Sequence, residues 1–93
     1  MAAPDPHLWA AQQAIRSGQR AERVRKQASA AQRSAADSLD KSADSQDRVA
    51  KSYEDVAEHS ARRDEYLRRA AVHRKYARED RQMAQRLREI AEE

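Results

Sequence analysis

A chain of 93 residues has room for one domain, and the absence of cysteine excludes disulfides and thiol chemistry. Alanine occupies twenty positions, Leu, Ile and Val together occupy ten, and Phe is absent, so a monomeric core would be thin. This composition, with a formal net charge of +3, is typical of long helices and coiled coils. We therefore expect an all-α protein that gains stability from self-association or from a partner.

The first predicted helix begins at Pro6. Asp5 can cap free backbone N–H groups, and proline suits the first helical position because its missing N–H would have no partner there. Residues 1–5 are then a short tail, and residues 6–93 form a single helical domain, since no proline follows Pro6. The only glycine, Gly18, costs a helix about 1 kcal/mol relative to alanine and does not end it.

Small residues recur at every seventh position along most of the chain. The line consists of Ala14, Ala21, Ala28, Ala35, Ser42, Val49, Val56, Arg63, Ala70, Ala77, Ala84 and Ala91. Such a repeat indicates a helix that packs along another helix. Because the line is interrupted at Arg63, we predict a turn near 60–63 and a long antiparallel helical hairpin resembling a coiled coil.

Charge divides the predicted helices into three segments. Residues 6–38 form a basic N-terminal arm, residues 39–59 an acidic helix segment, and residues 64–92 a basic C-terminal helix. A turn at 60–63 lays the acidic segment beside the basic helix, and charge then selects the alignment, since exposed pairs contribute at most about 1 kcal/mol each. The alternative fold is a three-helix bundle with an extra bend near 34–38, where serine and aspartate favour helix ends.

The predicted contact between the helices is an alanine-lined seam. Its members are Val49, Tyr53, Val56, Leu67, Ala70, Ala77, Ala84 and Leu87. Alanine allows two helices to approach closely, and the tyrosine supplies bulk where alanine does not. We expect a return helix, a second copy or a partner helix to bury this seam.

One stretch of the C-terminal helix resembles a known group of proteins. The pattern His73-Arg74-x-x-Ala77-x-x-Asp80-Arg81-x-x-Ala84-x-x-Leu87-Arg88 is similar to that of small Ala/Arg-rich helical proteins of actinobacteria, which are uncharacterised and have no assigned function. The resemblance covers roughly residues 39–90. It implies a helical hairpin and nothing about chemistry.

The basic arm contains a candidate phosphate-binding side. Arg16, Arg20 and Arg23 lie on one side of a helix, and Lys26 and Arg33 roughly extend that side. A basic helix can follow a phosphate backbone or an anionic membrane. The competing interpretation is that these residues pair with the acidic residues of 37–58, in the same chain or in a second one.

The beginning of the arm contains a candidate partner anchor. Leu8 and Ile15 share one face of the predicted helix, with Trp9 at its edge. A tryptophan near a chain end can anchor a protein partner or lie at a membrane interface. It can equally cover the end of a helical bundle, and the sequence does not separate these interpretations.

No residue pattern indicates catalysis. His59 and His73 lie fourteen residues apart, whereas two histidines that share a metal on a helix lie three or four apart, and a single glycine excludes a glycine-rich phosphate loop. We expect no cofactor, no metal and no enzymatic activity. The leading prediction is an interaction or scaffold protein, either a homo-oligomer or bound to another helical protein, and the alternative is a nucleic-acid-binding protein of the nucleoid-associated type.

The expected location is the cytoplasm. No apolar run approaches the roughly 18 residues that span a bilayer. The N-terminus also lacks the pattern of a charged segment followed by an apolar one that marks a secretion signal. A transmembrane segment is therefore not expected.

Overall fold

The computed structural model describes residues 5–93 and contains two long α-helices. Helix α1 is Pro6–Ala57 and helix α2 is Arg63–Glu92. The chain reverses between them, so the predicted antiparallel hairpin with a turn near 60–63 is confirmed. The predicted tail falls mainly on residues 1–4, which lie outside the described residues.

Helix α1 begins as its sequence predicts. The Asp5 side chain accepts a hydrogen bond from the His7 backbone N–H at 2.9 Å, and Pro6 occupies the first helical position. The helix then continues for 52 residues, which is about 78 Å at 1.5 Å per residue. Gly18 does not interrupt the helix, because a single glycine costs only about 1 kcal/mol relative to alanine.

The alternative bend near 34–38 does not form. Ala36 is fully buried against α2, so a bend there would remove the last buried position of α1 at that end of the hairpin. Asp37 and Asp40 bind Arg88 across the hairpin and do not cap a new helix. The helix therefore runs straight through a segment whose serines and aspartates alone would favour a helix end.

The buried interior of the hairpin consists of alanines only. α2 buries Ala70, Ala77, Ala84 and Ala91, the line that the sevenfold repeat predicts, and α1 buries Ala36, Ala43, Ala50 and Ala57. All eight are at most 5% exposed. Alanine keeps the helix axes close together, so little apolar area is removed from water for each residue.

The buried line of α1 lies one residue after the predicted one. The prediction placed Val49 and Val56 in the seam, but they are 40% and 52% exposed, and the neighbouring Ala50 and Ala57 are buried. One residue corresponds to about 100° around a helix. This difference therefore turns the predicted line of α1 from the interior to the side of the hairpin.

Candidate binding surfaces

The hairpin has two chemically different sides. On each helix, the residue four positions after a buried alanine lies about 40° to one side of it, and the residue one position before lies about 100° to the other side. Applied to both alanine lines, this rule places charged residues on one side and, apart from Ser42 and Arg69, apolar and aromatic residues on the other. We call these the ionic side and the apolar side.

The ionic side contains a ladder of ion pairs between the helices. Three arginines of α2, seven residues apart, each bind two carboxylates of α1. Arg81 lies 3.0 Å from Asp44 and 2.7 Å from Asp47. The same arrangement joins Arg74 to Asp47 and Glu54, and Arg88 to Asp37 and Asp40. The predicted pairing of the acidic segment with the basic C-terminal helix is thus present.

The ion pairs of the ladder shift the pKa values of the groups that form them. Hydrogen bonding from the Arg81 guanidinium lowers the pKa of Asp47, and the nearby charges of Arg81 and Arg74 lower it further. Hydrogen bonds to the carboxylates raise the pKa values of Arg74, Arg81 and Arg88. The three arginine side chains remain 40–44% exposed, so the ladder fixes the alignment of the helices more than it stabilises them.

The apolar side begins with a cluster of aromatic rings near the turn. The ring of Tyr53 stacks on that of Tyr66 with centroids 6.0 Å apart and on that of His73 at 5.7 Å. His73 in turn meets the edge of Tyr76 at 6.2 Å. The cluster supplies the contact that the alanine interior lacks, and it leaves an apolar cleft lined by Val49, Ser52, Tyr53, Val56 and Tyr66.

Large apolar side chains continue along this side as far as the end of α2. Tyr76, Met83 and Ile90 follow one another at seven-residue intervals and are 46%, 45% and 46% exposed. Val49 and Val56 lie on the same side of α1. Among the described residues, the large apolar groups of the hairpin that are at least 40% exposed therefore line one side of it, except Val72, which lies about 160° from the buried line of α2.

The structure divides the predicted seam into three parts. Ala70, Ala77 and Ala84 are buried between the helices, and Tyr53 and Leu87 are half-buried at the base of the apolar side. Leu67 is 37% exposed near the turn. Val49 and Val56 contribute to the apolar side, as described above. The prediction missed the buried line from Ala36 to Ala57, whose signal is an unbroken run of four alanines matching the run of four in α2.

The first part of α1 extends beyond the end of α2. Residues 91–93 line a hollow together with residues of α1 between Glu22 and Arg33, so α2 ends beside this stretch. We define residues 6–28, which precede the half-buried Ser29, as the overhang. Every overhang residue is exposed except Gln13 and Glu22, which are half-buried. The exposed large apolar residues of the overhang are Leu8, Trp9, Ile15 and Val24, at 57–63% exposure.

The basic residues of the overhang do not reach the acidic segment. Within residues 5–93, Arg16, Arg23 and Lys26 make no ion pair, and Arg20 donates a hydrogen bond to the Ser17 hydroxyl at 3.2 Å. Glu22 is bound by Arg25, whose hydrogen bond lowers the pKa of that carboxyl. Within the described residues, the basic side chains of the arm therefore form no ion pair with the acidic residues of 37–58, and arginines of α2 occupy the carboxylates of the ladder.

Comparison with protein-family models, with curated proteins and with solved structures finds no significant match to this chain. Neither helix of residues 5–93 contains a stretch long and apolar enough to cross a bilayer. Within the same residues, no group of three His, Asp or Glu side chains is placed to hold a metal ion. The apolar side of the hairpin and the basic overhang are thus the two surfaces on which a functional assignment depends.

Proposed function

We propose that this protein is a non-catalytic helical interaction protein that self-associates through the apolar side of its hairpin. The observation that supports the proposal is that the large apolar residues lie on one side of the hairpin and not in its interior. The interior contains alanines alone, whereas Val49, Val56, Tyr76, Met83 and Ile90 line one side and are 40–52% exposed. Exposed apolar surface of this kind marks protein interaction sites, and here the hydrogen bond from Ser42 to Asp80 crosses it.

The interior alone is a weak source of stability. Helices in proteins depend mainly on tertiary packing of an apolar face, and alanine removes little area from water when it is buried. Covering the side chains from Val56 to Ile90 would add the larger contribution that the hairpin lacks. The alanine seam is occupied by the two helices of one chain, so association has to use this other surface.

A second copy of this chain is the occupant that the surface fits best. A two-fold interface brings the same patch of each subunit together, so a charged patch would repel its own copy. The apolar side presents valines, tyrosines and a methionine, and its charged groups are few: Asp80, bound by the Ser42 hydroxyl, and Arg69, over the ring of Tyr53. The ionic side and the overhang are much more highly charged. Two hairpins joined in this way form a four-helix assembly.

The size of the patch determines the expected strength of association. Val56 to Ile90 corresponds to about 36 Å of helix, and a strip about 15 Å wide gives on the order of 500 Å² for each copy. Stable interfaces bury about 800 Å² for each partner, so this one belongs among the smaller interfaces. We therefore expect a dimer that dissociates on dilution in the micromolar range.

Light scattering and circular dichroism over a hundredfold dilution test the proposal. The dimer predicts a melting temperature that falls with dilution, together with a mass that falls towards that of the monomer. Met83→Glu places two like charges across the interface and should give a helical monomer. Gln82→Glu makes the same change of charge at the adjacent, exposed position and should leave the dimer intact.

Two results would contradict self-association. One is a monomeric mass at every concentration with an unchanged melting temperature. The other is equal loss of association in the Met83 and Gln82 variants, which would show that charge and not the apolar side controls it. A third result would be binding of a different helical protein by a wild-type chain that forms no dimer. The apolar side would then bind that protein and not a second copy of this chain.

A further inference from the structure

We propose that the overhang is a separate binding element that docks double-stranded DNA along its basic side. This proposal does not depend on self-association, because the overhang lies beyond the end of α2 and its residues are absent from the apolar side of the hairpin. It rests on the charge, the exposure and the shape of the overhang, together with Arg33, which lies beside the last residues of α2.

The charge of α1 changes sign along one set of heptad positions. In the hairpin these positions hold the five ladder carboxylates, Asp37, Asp40, Asp44, Asp47 and Glu54. Three heptads earlier the corresponding residues are Arg16, Gln19, Arg23, Lys26 and Arg33. Four of the five acids are replaced by bases. A partner that covers this stretch as α2 covers the hairpin must therefore be anionic.

The basic residues are available to such a partner. Arg16, Arg20 and Arg23 are exposed, and none of them binds a carboxylate within residues 5–93. Glu22 is the only acid between residues 6 and 33, and it already binds Arg25. Unlike the arginines of the ladder, these cations bring a nearly uncompensated positive charge to the partner.

The shape of the overhang suits a duplex groove. It is a single helix, about 10–12 Å in diameter with its side chains, and the major groove of B-DNA is about 12 Å wide. The cations from Arg16 to Arg33 extend over about 26 Å of helix, which is less than one turn of B-DNA. A basic helix that continues out of a coiled coil is also the way in which basic-region zippers enter the groove. The deep, narrow major groove of duplex RNA does not admit a helix.

The arrangement of apolar residues argues against a membrane. A helix that lies on a bilayer needs its large apolar residues on one face. In the overhang, Val24 lies about 180° from Ile15, and Trp9 lies about 100° from Leu8, at nearly the same angle as Arg16. No continuous apolar face results, whereas binding to phosphates requires none.

Trp9 provides the measurement, since it is the only tryptophan and lies within the overhang. We expect its fluorescence to change when a 20-base-pair duplex is added at low salt. Each phosphate neutralised contributes about −0.9 to the slope of log K against log salt, so five cations predict a slope of about −4.5. That slope corresponds to a loss of affinity of about 500-fold between 50 and 200 mM salt.

A matched pair of variants locates the binding side. Arg16→Ala, Arg20→Ala and Arg23→Ala together should reduce the slope to about −1.8, or about 12-fold over the same salt range. The control removes the same charge from exposed α2 residues that form no ion pair in the structure, namely Arg68, Arg78 and Arg86. The control should keep the slope of the wild type.

Several results would overturn the proposal. They are no binding of duplex DNA at 50 mM salt, equal loss of DNA affinity in the two triple variants, and tighter binding of phosphatidylserine vesicles or of a polyglutamate helix than of DNA.

The Met83→Glu monomer separates this proposal from the preceding one. It should bind DNA with an unchanged slope, and loss of binding would show that the overhang does not act by itself.

Discussion

Helix α1 places two stretches with the same alanine repeat but opposite net charge in different surroundings. Residues 36–57 lie against α2, whereas residues 6–28 extend past its end and only Glu22, Arg25 and Lys26 share a hollow with residues 91–93. Both stretches contain alanines at seven-residue intervals, yet only the first buries them. The difference shows that a small-residue repeat permits close packing of helices but does not produce it. Burial requires a second helix of matching length, but α2 has only 30 residues, whereas α1 has 52.

The two stretches should also differ in what keeps them helical. The hairpin part depends on packing, whereas the overhang relies on local terms: the Asp5 cap, the helix propensity of alanine, arginine and glutamine, and the pair of Glu22 with Arg25. Isolated helices shorter than about 12–15 residues are marginal in water. At 23 residues the overhang exceeds that length without approaching the stability of a packed helix.

The largest expected effect comes from overfilling the alanine interior. Ala43 is fully buried, and Ala43→Leu adds three carbons where two backbones approach closely, so we expect a loss of about 1–3 kcal/mol in the free energy of unfolding. Ala35→Leu is the control, because Ala35 belongs to the predicted line and is exposed. Urea unfolding followed by circular dichroism measures both. Equal losses would mean that α1 packs through the line that the sequence first indicated.

A smaller effect, confined to the overhang, is expected from Gly18→Ala. A Cβ at Gly18 meets no atom within 4 Å apart from its own helix, so the substitution should stabilise the local helix by about 0.5–1 kcal/mol. Amide hydrogen exchange should slow around residue 18 and stay the same in the hairpin. A comparable slowing in α2 would show that the overhang and the hairpin unfold as one unit.

Removing one rung of the ladder should have a smaller effect on stability. Arg81→Gln breaks the pairs with Asp44 and Asp47, and the melting temperature should fall by less than in Ala43→Leu, since all these groups remain partly exposed. Arg78→Gln makes the same change at an exposed arginine without an ion pair in the structure. The difference between the two variants should shrink at 1 M salt, where charges are screened beyond about 3 Å.

The smallest effect is expected from the titration of Asp47 alone. The pKa of Asp47 is lower in the folded chain than its unfolded value of about 3.9, so the stability it contributes is present above that value and is lost as the pH falls below it. Melting temperatures measured from pH 6 to pH 2 should therefore fall most below about pH 4. Asp47→Asn should flatten the decline, whereas Asp64→Asn should not, because Asp64 forms no ion pair across the hairpin in the part of the chain that the structure describes.

Part of this architecture could be predicted from the sequence. The absence of helix breakers after Pro6, the change of charge near residue 59 and the alanine line of α2 were sufficient for the hairpin and its turn. The phase of α1 was predicted wrongly. The line through Ala35 continues into Val49 and Val56, which favoured it as the apolar one, whereas the line from Ala36 to Ala57 is alanine throughout, as is the buried line of α2.

The candidate surfaces were predictable to a lesser degree. The sequence contains more arginines than the acidic segment can bind, and it does not state which of them occupy the carboxylates. Arg74, Arg81 and Arg88 do so because each follows a buried alanine by four residues, a relation that becomes meaningful only when the buried line is known. The exposure of Tyr76 and Met83 likewise depends on the phase of α2 against α1.

No loop separates the overhang from the hairpin, because α1 is continuous from Pro6 to Ala57. The basic side of the overhang is therefore held at a fixed angle to the apolar side of the hairpin. Inserting a single residue near position 32 would rotate the basic side by about 100°, and inserting seven would almost restore the original orientation. The number of residues between the two surfaces therefore sets the angle between them, and each insertion or deletion in α1 would change that angle.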